Sequence, residues 1–271
     1  MIIWQRRASG AWLAKNEPAI EQFARSRLAI VTLPGRTRAI VQISCSTRAQ
    51  AAKLVEKFGG NFKSLPRNWQ PETKDHPPIR IGRHLQIVSA SRQSVLGGQQ
   101  LIIPAAGAFG TGEHATTAMS LRLLAESTRK ISTGWRIFDV GTGTGILALA
   151  ARKLGADEAV GIDTDRRAVA HARRNAQLNG VARTKFIVAD VLQWNLAGRY
   201  DIITANLYSE LFIAALPRFQ LWMRTGGWLI ASGILHNQSQ LVVSVLEDQC
   251  FRLEQLRRRG KWVALLCQLA R

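Results

Sequence analysis

Asp139 closes the apolar run Ile137-Phe138 and is followed by three alternate glycines, Gly141, Gly143 and Gly145. Glycines in such a turn tolerate positive φ and let a ligand approach the bare backbone. The apolar segment after them, Ile146 to Leu154, repeats at helical spacing, and the unpaired N–H groups at its start suit a carboxylate or phosphate. About 20 residues beyond Gly141 a second apolar run ends in Asp163, at the distance where an acid takes ribose hydroxyls. Asp190 and Asn206 end two more such runs. Each could be a loop cap by itself; four polar tips at the ends of successive strands make a site. A further cluster, Phe109-Gly110-Thr111-Gly112-Glu113-His114-Ala115-Thr116-Thr117, sets an imidazole and hydroxyls after a glycine-bent loop. Taken alone, that stretch reads better as a glycine loop with a threonine cap. The order G-x-G-x-G differs from the dinucleotide fingerprint G-x-G-x-x-G. A nucleoside ending in a small carboxylate is therefore expected rather than a diphosphate, and a nicotinamide-dependent dehydrogenase is disfavoured.

The elements that must position these residues follow from periodicity. Glu158 to Asp163, Lys185 to Ala189, Tyr200 to Ala205 and Gly227 to Ser232 read as strands. Ala115 to Glu126, Asp165 to Asn179, Tyr208 to Met223 and His236 to Gln249 read as helices. Such alternation predicts an α/β domain with a mostly parallel sheet covered on both faces. Phe251 to Arg258 and Lys261 to Leu269, joined at Gly260, predict an antiparallel hairpin at its edge. Ile79 to Ser89 and Gln99 to Pro104 lead into this domain as short strands. Residues 1–65 predict a separate small α+β unit in the order β-α-β-β-α-β, which suits a ferredoxin-like layer. Its clearest element is the helix Thr47 to Phe58, with Ala51, Leu54, Val55 and Phe58 on one face and Gly59-Gly60 as its stop. Pro34-Gly35 marks a hairpin turn. Residues 66–78, with four prolines, read as a linker, leaving 79–271 as the second domain.

Composition bounds the partners. Across 271 residues there are 37 Lys+Arg against 18 Asp+Glu, a formal net charge of +19, which favours nucleic acid or another anionic surface. Cys45, Cys250 and Cys267 are odd in number and far apart, with no metal-ligand spacing, so no metal is expected and the thiols are expected to be buried in a reducing compartment. No apolar run reaches a membrane span, and the N-terminus lacks the order of a secretory signal. A cytoplasmic protein is expected.

The glycine turn, Gly161-Ile162-Asp163, Ala205-Asn206-Leu207, Ser232-Gly233-Ile234-Leu235 and the stretch from Phe109 to Thr117 together resemble the class I methyltransferases, and among them the PrmA family that methylates amino groups of ribosomal protein L11. The resemblance runs from about Ile79 to the C-terminus. It implies a Rossmann-like fold and S-adenosylmethionine (SAM) as cofactor. It also implies a small N-terminal domain that recognises a ribosomal protein substrate. Thr117, Gly141, Gly143, Gly145, Asp163 and Asn206 would bind SAM. Phe109, Gly110 and Thr111 would close over its methionine end, and Asp190 would meet the adenine. Asn206 and His114 would orient or deprotonate the target amine, with Glu113 a third candidate. After Asn206 the family usually continues Ile-Leu-Ala, whereas this chain has Leu207-Tyr208-Ser209, so the wall facing the amine differs. Two alternatives remain. One is an RNA or other nucleic-acid N-methyltransferase using the same site, disfavoured by the lack of prolines after Asn206. The other is a non-enzymatic SAM- or ribosome-binding module.

Overall fold

The computed structural model describes residues 2–24, 28–31, 38–64, 78–82, 85–89, 99–104, 112, 114–195 and 198–270. The expected turn at Pro34-Gly35 and nearly all of the expected linker lie outside them. The chain separates into two compact units, Met1–Pro71 and Glu72–Arg271.

In the first unit, strand β1 (Ile2–Ser9), helix α1 (Gly10–Ala24), strands β2 (Leu28–Val31) and β3 (Arg38–Cys45), helix α2 (Arg48–Phe58) and strand β4 (Asn61–Ser64) follow in order. The sheet order is β2-β3-β1-β4 with every neighbouring pair antiparallel, the ferredoxin-like arrangement. α1 is poorly patterned because Pro18 stands inside it. α2 is well specified. The Thr47 hydroxyl accepts from the Gln50 amide at 3.2 Å, the Gln50 side chain accepts from Ser46 N at 3.0 Å, and Gly59 ends the helix at φ 67°. Trp4, Ile20, Val41, Ile43, Ala51, Leu54 and Phe58 form the buried core between sheet and helices.

The second unit opens with β5 (Ile79–Ile81), β6 (Leu85–Val88) and β7 (Gln99–Ile102), a three-stranded sheet in which β5–β6 is antiparallel and β6–β7 parallel. The stretch Ile79 to Ser89, expected as one strand, is thus two, broken at Gly82 with φ 60°. Next come α3 (Ala115–Ser127), β8 (Arg136–Val140), α4 (Ile146–Lys153), β9 (Glu158–Asp163), α5 (Arg166–Leu178) and β10 (Thr184–Val188). The unit ends with β11 (Tyr200–Asn206), α6 (Ser209–Trp222), β12 (Met223–Leu235), α7 (Ser239–Asp248), β13 (Phe251–Arg259) and β14 (Trp262–Leu269). The seven-stranded sheet runs β10-β9-β8-β11-β12-β14-β13, and β14 alone runs against the direction of the other six.

Alternate residues of each strand serve opposite faces. Ile137, Ile202, Ile230 and Leu266 join Leu149 of α4 and Val169 of α5 in one core. Their neighbours Phe138, Ile203, Leu229 and Leu265 join Phe212 of α6 and Val242 of α7 in the other. Both faces are therefore covered, as the strand–helix alternation predicts. β12 is longer than the expected Gly227 to Ser232. Its first residue, Met223, pairs with Tyr200 before an irregularity that takes up Gly226 at φ 76°, pairing resumes at Trp228, and Gly233 is absorbed as a bulge between Ser232 and Ile234. Cys45 and Cys267 are buried, but Cys250 is exposed, contrary to the expectation of buried thiols, because it sits in the turn before β13 at φ 61°.

Candidate functional site

A cavity of about 530 Å³ lies at the carboxyl ends of the parallel strands, within the size range of small-ligand sites. Strand order fixes which residue meets which part of it. β9 and the segment after β10 bring Ile162, Asp163, Thr164, Ala189, Asp190 and Val191 to one side. The glycine turn after β8 brings Gly141 and Gly143 to the middle. β11, β12 and β14 bring Asn206, Tyr208, Gly233 and Trp262 to the other side, joined there by His114 and Thr116 at the start of α3.

The glycine turn is pinned from three directions. Thr142 N donates to Ile162 O at 2.9 Å and Gly145 N to Thr142 O at 2.8 Å. Gly143 N donates to Asp163 Oδ2 at 3.0 Å, and Asp165 N to Asp163 Oδ1 at 2.9 Å. Both oxygens of Asp163 are thus oriented, and each keeps a lone pair for a ligand hydroxyl. Gly141 has φ 69°, and a Cβ there would lie 2.8 Å from Leu207 Cδ2. Gly145 is closely packed: a Cβ on it would meet Ala172 and Phe186 at 3.0 Å, and Gly141 and Gly143 rather than Gly145 line the cavity.

Asp139 lies beneath the turn rather than in the cavity. Its carboxylate accepts from Thr142 Oγ1 and from Thr204 Oγ1, each at 2.6 Å, and all three residues are buried. Asp139 and Thr204 are paired across β8 and β11, which puts them on one face. Burial raises the Asp139 pKa to about 6 against the pull of the two hydroxyls, with Asp163 adding to the rise. The carboxylate ties the cofactor turn to the strand that ends in Asn206.

On the far side, the Asn206 side-chain amide makes no hydrogen bond among the described residues and lines the cavity. His114 caps α3: its Nδ1 accepts from Thr116 N at 3.4 Å and lies 2.8 Å from Thr116 Oγ1. With Nδ1 accepting, the neutral ring carries its proton on Nε2. Burial, and then the charge of Lys261, lower the His114 pKa, which favours that neutral ring. The ring stands edge-on to Trp262 at 5.4 Å.

Of the expected site residues, the fold brings together His114, Gly141, Gly143, Asp163, Asp190 and Asn206 around one cavity. Thr117 is buried on α3 with its hydroxyl unpaired among the described residues, while its neighbour Thr116 reaches the wall. Phe109, Gly110, Thr111 and Glu113 lie outside the described residues. Trp262, Leu211 and Gly233 also line the cavity; sequence reasoning gave none of them a site role and named Gly233 only within a motif. Gly233 alone left a signal: with φ 85°, a Cβ on it would lie 2.4 Å from Leu207 O, so only glycine lets the chain after Asn206 pass.

A bound nucleoside cofactor fits this wall. An apolar slot (Ile162, Ala189, Val191) flanked by two acids suits a base and ribose, and an unpaired Asn206 amide suits the polar end. A sequence profile described as ribosomal protein L11 methyltransferase (PrmA) matches residues 12–270. The chain belongs to this family. A ribosomal protein L11 methyltransferase of Clostridium perfringens is 32% identical over 222 residues, covering 81% of this chain and 67% of that protein. One from Lacticaseibacillus paracasei is 36% identical over 233 residues, covering 85% and 71%. The crystal structure of a ribosomal protein L11 methylase from Lactobacillus delbrueckii subsp. bulgaricus superposes with a TM-score of 0.65 at 30% identity, covering 72% of this chain and all of that one. PrmA membership accounts for the sheet order and for the glycine turn facing Asp163.

Proposed function

We propose that the protein transfers methyl groups from SAM to amino groups of a ribosomal protein, lysine side chains or the N-terminal amine, with L11 as the acceptor. The observation that carries this reading is the single cavity walled by the glycine turn, Asp163 and the unpaired Asn206 amide, in a chain of the PrmA family. The donor, when bound, supplies a methyl carbon on a sulfonium leaving group. Asp163, held by Gly143 N and Asp165 N, accepts hydrogen bonds from the ribose hydroxyls. Asp190 stands at the rim of the apolar slot for the base, and Thr117 offers its unpaired hydroxyl at the methionine end.

The chain's task at the acceptor is positioning. Only about one lysine amine in 2,500 is neutral at pH 7, from a reference pKa near 10.4. Asn206 accepts a hydrogen bond from the amine through its side-chain oxygen but is no base at neutral pH. His114, with Nδ1 engaged by Thr116, presents Nε2–H and acts as an orienting donor rather than as a base. Trp262 and Leu211 give the amine's carbon stem an apolar wall and hold water back, which favours the uncharged amine. The small first unit recognises the protein, the basic surface contacts ribosomal RNA, and the enzyme works in the cytoplasm.

Incubation with labelled SAM and separated ribosomal protein and RNA fractions tests this reading. Label is expected in protein, with mass shifts in units of one methyl group. Label entering RNA alone would replace it with the second reading, an RNA methyltransferase. That reading is favoured by one observation: Tyr208, 75% exposed, stands at the cavity where a flipped base could stack.

A further inference from the structure

The mouth of the cavity carries cations that the cofactor site does not use. Arg166 and Arg167 open α5 directly after the cavity residues Asp163 and Thr164, and both are exposed. Basic residues in a first turn oppose the positive end of the helix dipole, so the helix gains no stability from them. The end of β13 carries Arg258 and Arg259 and the turn to β14 carries Lys261, all exposed, immediately before the cavity residue Trp262. None of the five enters an ion pair among the described residues, although five other arginines do. Arg258 Nε donates to the Gly260 carbonyl, and Lys261 Nζ lies 5.2 Å from the Trp262 ring.

Topology puts the two groups on opposite flanks of the mouth. β9 ends at α5 on one side. β14, being antiparallel, begins at the same rim where the parallel strands end, with Trp262 beside Leu235. β9 and β14 stand four strand spacings apart, about 19 Å. Tyr208, after β11, stands between them with its ring exposed. A rim with cations on both flanks repels the lysine-rich surface of a basic acceptor unless an anion lies between. Four of the five cations are arginines, whose planar fork matches phosphate. An exposed aromatic ring between two groups of arginine is a stacking platform for unpaired bases.

We infer that this rim grips single-stranded RNA, its phosphodiester backbone running across the mouth from the start of α5 to the β13–β14 tip and one base stacked on Tyr208. The inference rests on the reading of the enzyme as one that modifies a ribosomal protein, and it names the second component beside the acceptor amine.

Anisotropy of a short labelled oligouridine with the full chain over a salt series provides the test. Five phosphate contacts predict a slope of log affinity against log salt of about −3.5. Replacing the four arginines (Arg166→Gln, Arg167→Gln, Arg258→Gln, Arg259→Gln) is expected to flatten it to about −0.7. Glutamine is a good helix former, so α5 is retained. Tyr208→Ala is expected to weaken binding at least about 5-fold with the slope unchanged. The four-arginine variant should still methylate free ribosomal protein at the wild-type rate. Identical slopes for wild type and variant overturn the inference. So does an oligoaspartate peptide that displaces the RNA and loses the same slope in the variant, which assigns the rim to an acidic protein segment. If the wild type labels no protein yet binds oligouridine as described, the acceptor reading fails while the RNA grip stands.

Discussion

Asp139 shows how one buried carboxylate organises a site it does not line. Its folded pKa of about 6 lies above its unfolded value of 3.8, so the folded chain binds the extra proton between those values. The sign follows: the charged, buried form costs stability above about pH 6, and that cost disappears as pH falls below 3.8. The full difference is about 3 kcal/mol. Asp139→Asn should be neutral to stabilising at pH 7.5 and should flatten the stability difference between pH 7.5 and 5, as measured by urea unfolding of the cofactor-free protein. An unchanged pH dependence would place the carboxyl elsewhere in the energetics. Asp163→Ala removes charge-assisted bonds and should weaken SAM binding by about 1.5–3 kcal/mol in calorimetry. Asn206→Ala should lower turnover more than SAM affinity; equal losses would make it a cofactor ligand only. The acids and Asn206 were legible because strand ends announce themselves. The packing around Gly145 was not legible, because a glycine kept for packing and one kept for ligand approach look the same until Ala172 and Phe186 are seen against it.

At the scale of elements, helix and strand order followed from periodicity, and the four-stranded and seven-stranded sheets were foreshadowed by it. β12 was cut short in the sequence reading because Gly226-Gly227 and Gly233 look like punctuation, whereas the pairing with β11 and β14 resumes on the far side of each irregularity. The same glycine bulge lets Leu207 pass, so Gly233→Ala should destabilise the protein by more than 1 kcal/mol and misplace Asn206. Loss of turnover larger than the loss of SAM affinity would identify that displacement. Trp262 was not readable, since a tryptophan in a predicted hairpin reads as packing until the strand order carries it to the cavity. His114 couples α3 to the site. Its lowered pKa means the folded chain releases the proton more readily, so this cap contributes above the unfolded value near 6.5 and is lost as pH falls through the lower folded value. His114→Asn, which keeps a capping acceptor, should therefore remove an acid-side loss of α3 protection seen by hydrogen exchange.

For the whole molecule, ligand and charge set the conditions under which it holds together. A ligand at a hundredfold excess over its Kd stabilises a binding unit by about 2.7 kcal/mol. SAM should slow hydrogen exchange in β8 and β11 by the corresponding factor if both strands exchange by global opening of 72–271. The net charge of +19 should make association with polyanions fall steeply with salt, whatever the acceptor. Composition foretold that surface without saying where it lies. The hairpin of β13 and β14 was foreseen from Gly260, but not that β14 rather than β13 pairs with β12.

That strand has one more effect. β13 pairs with β14 alone, and β14 is wedged between β13 and β12. During synthesis, residues from Phe251 to Arg259 have no strand partner until the segment after them has emerged and slid in beside β12. Trp262 therefore joins the acceptor side of the cavity only once β14 has paired with β12, and the methylation proposed here waits for that pairing.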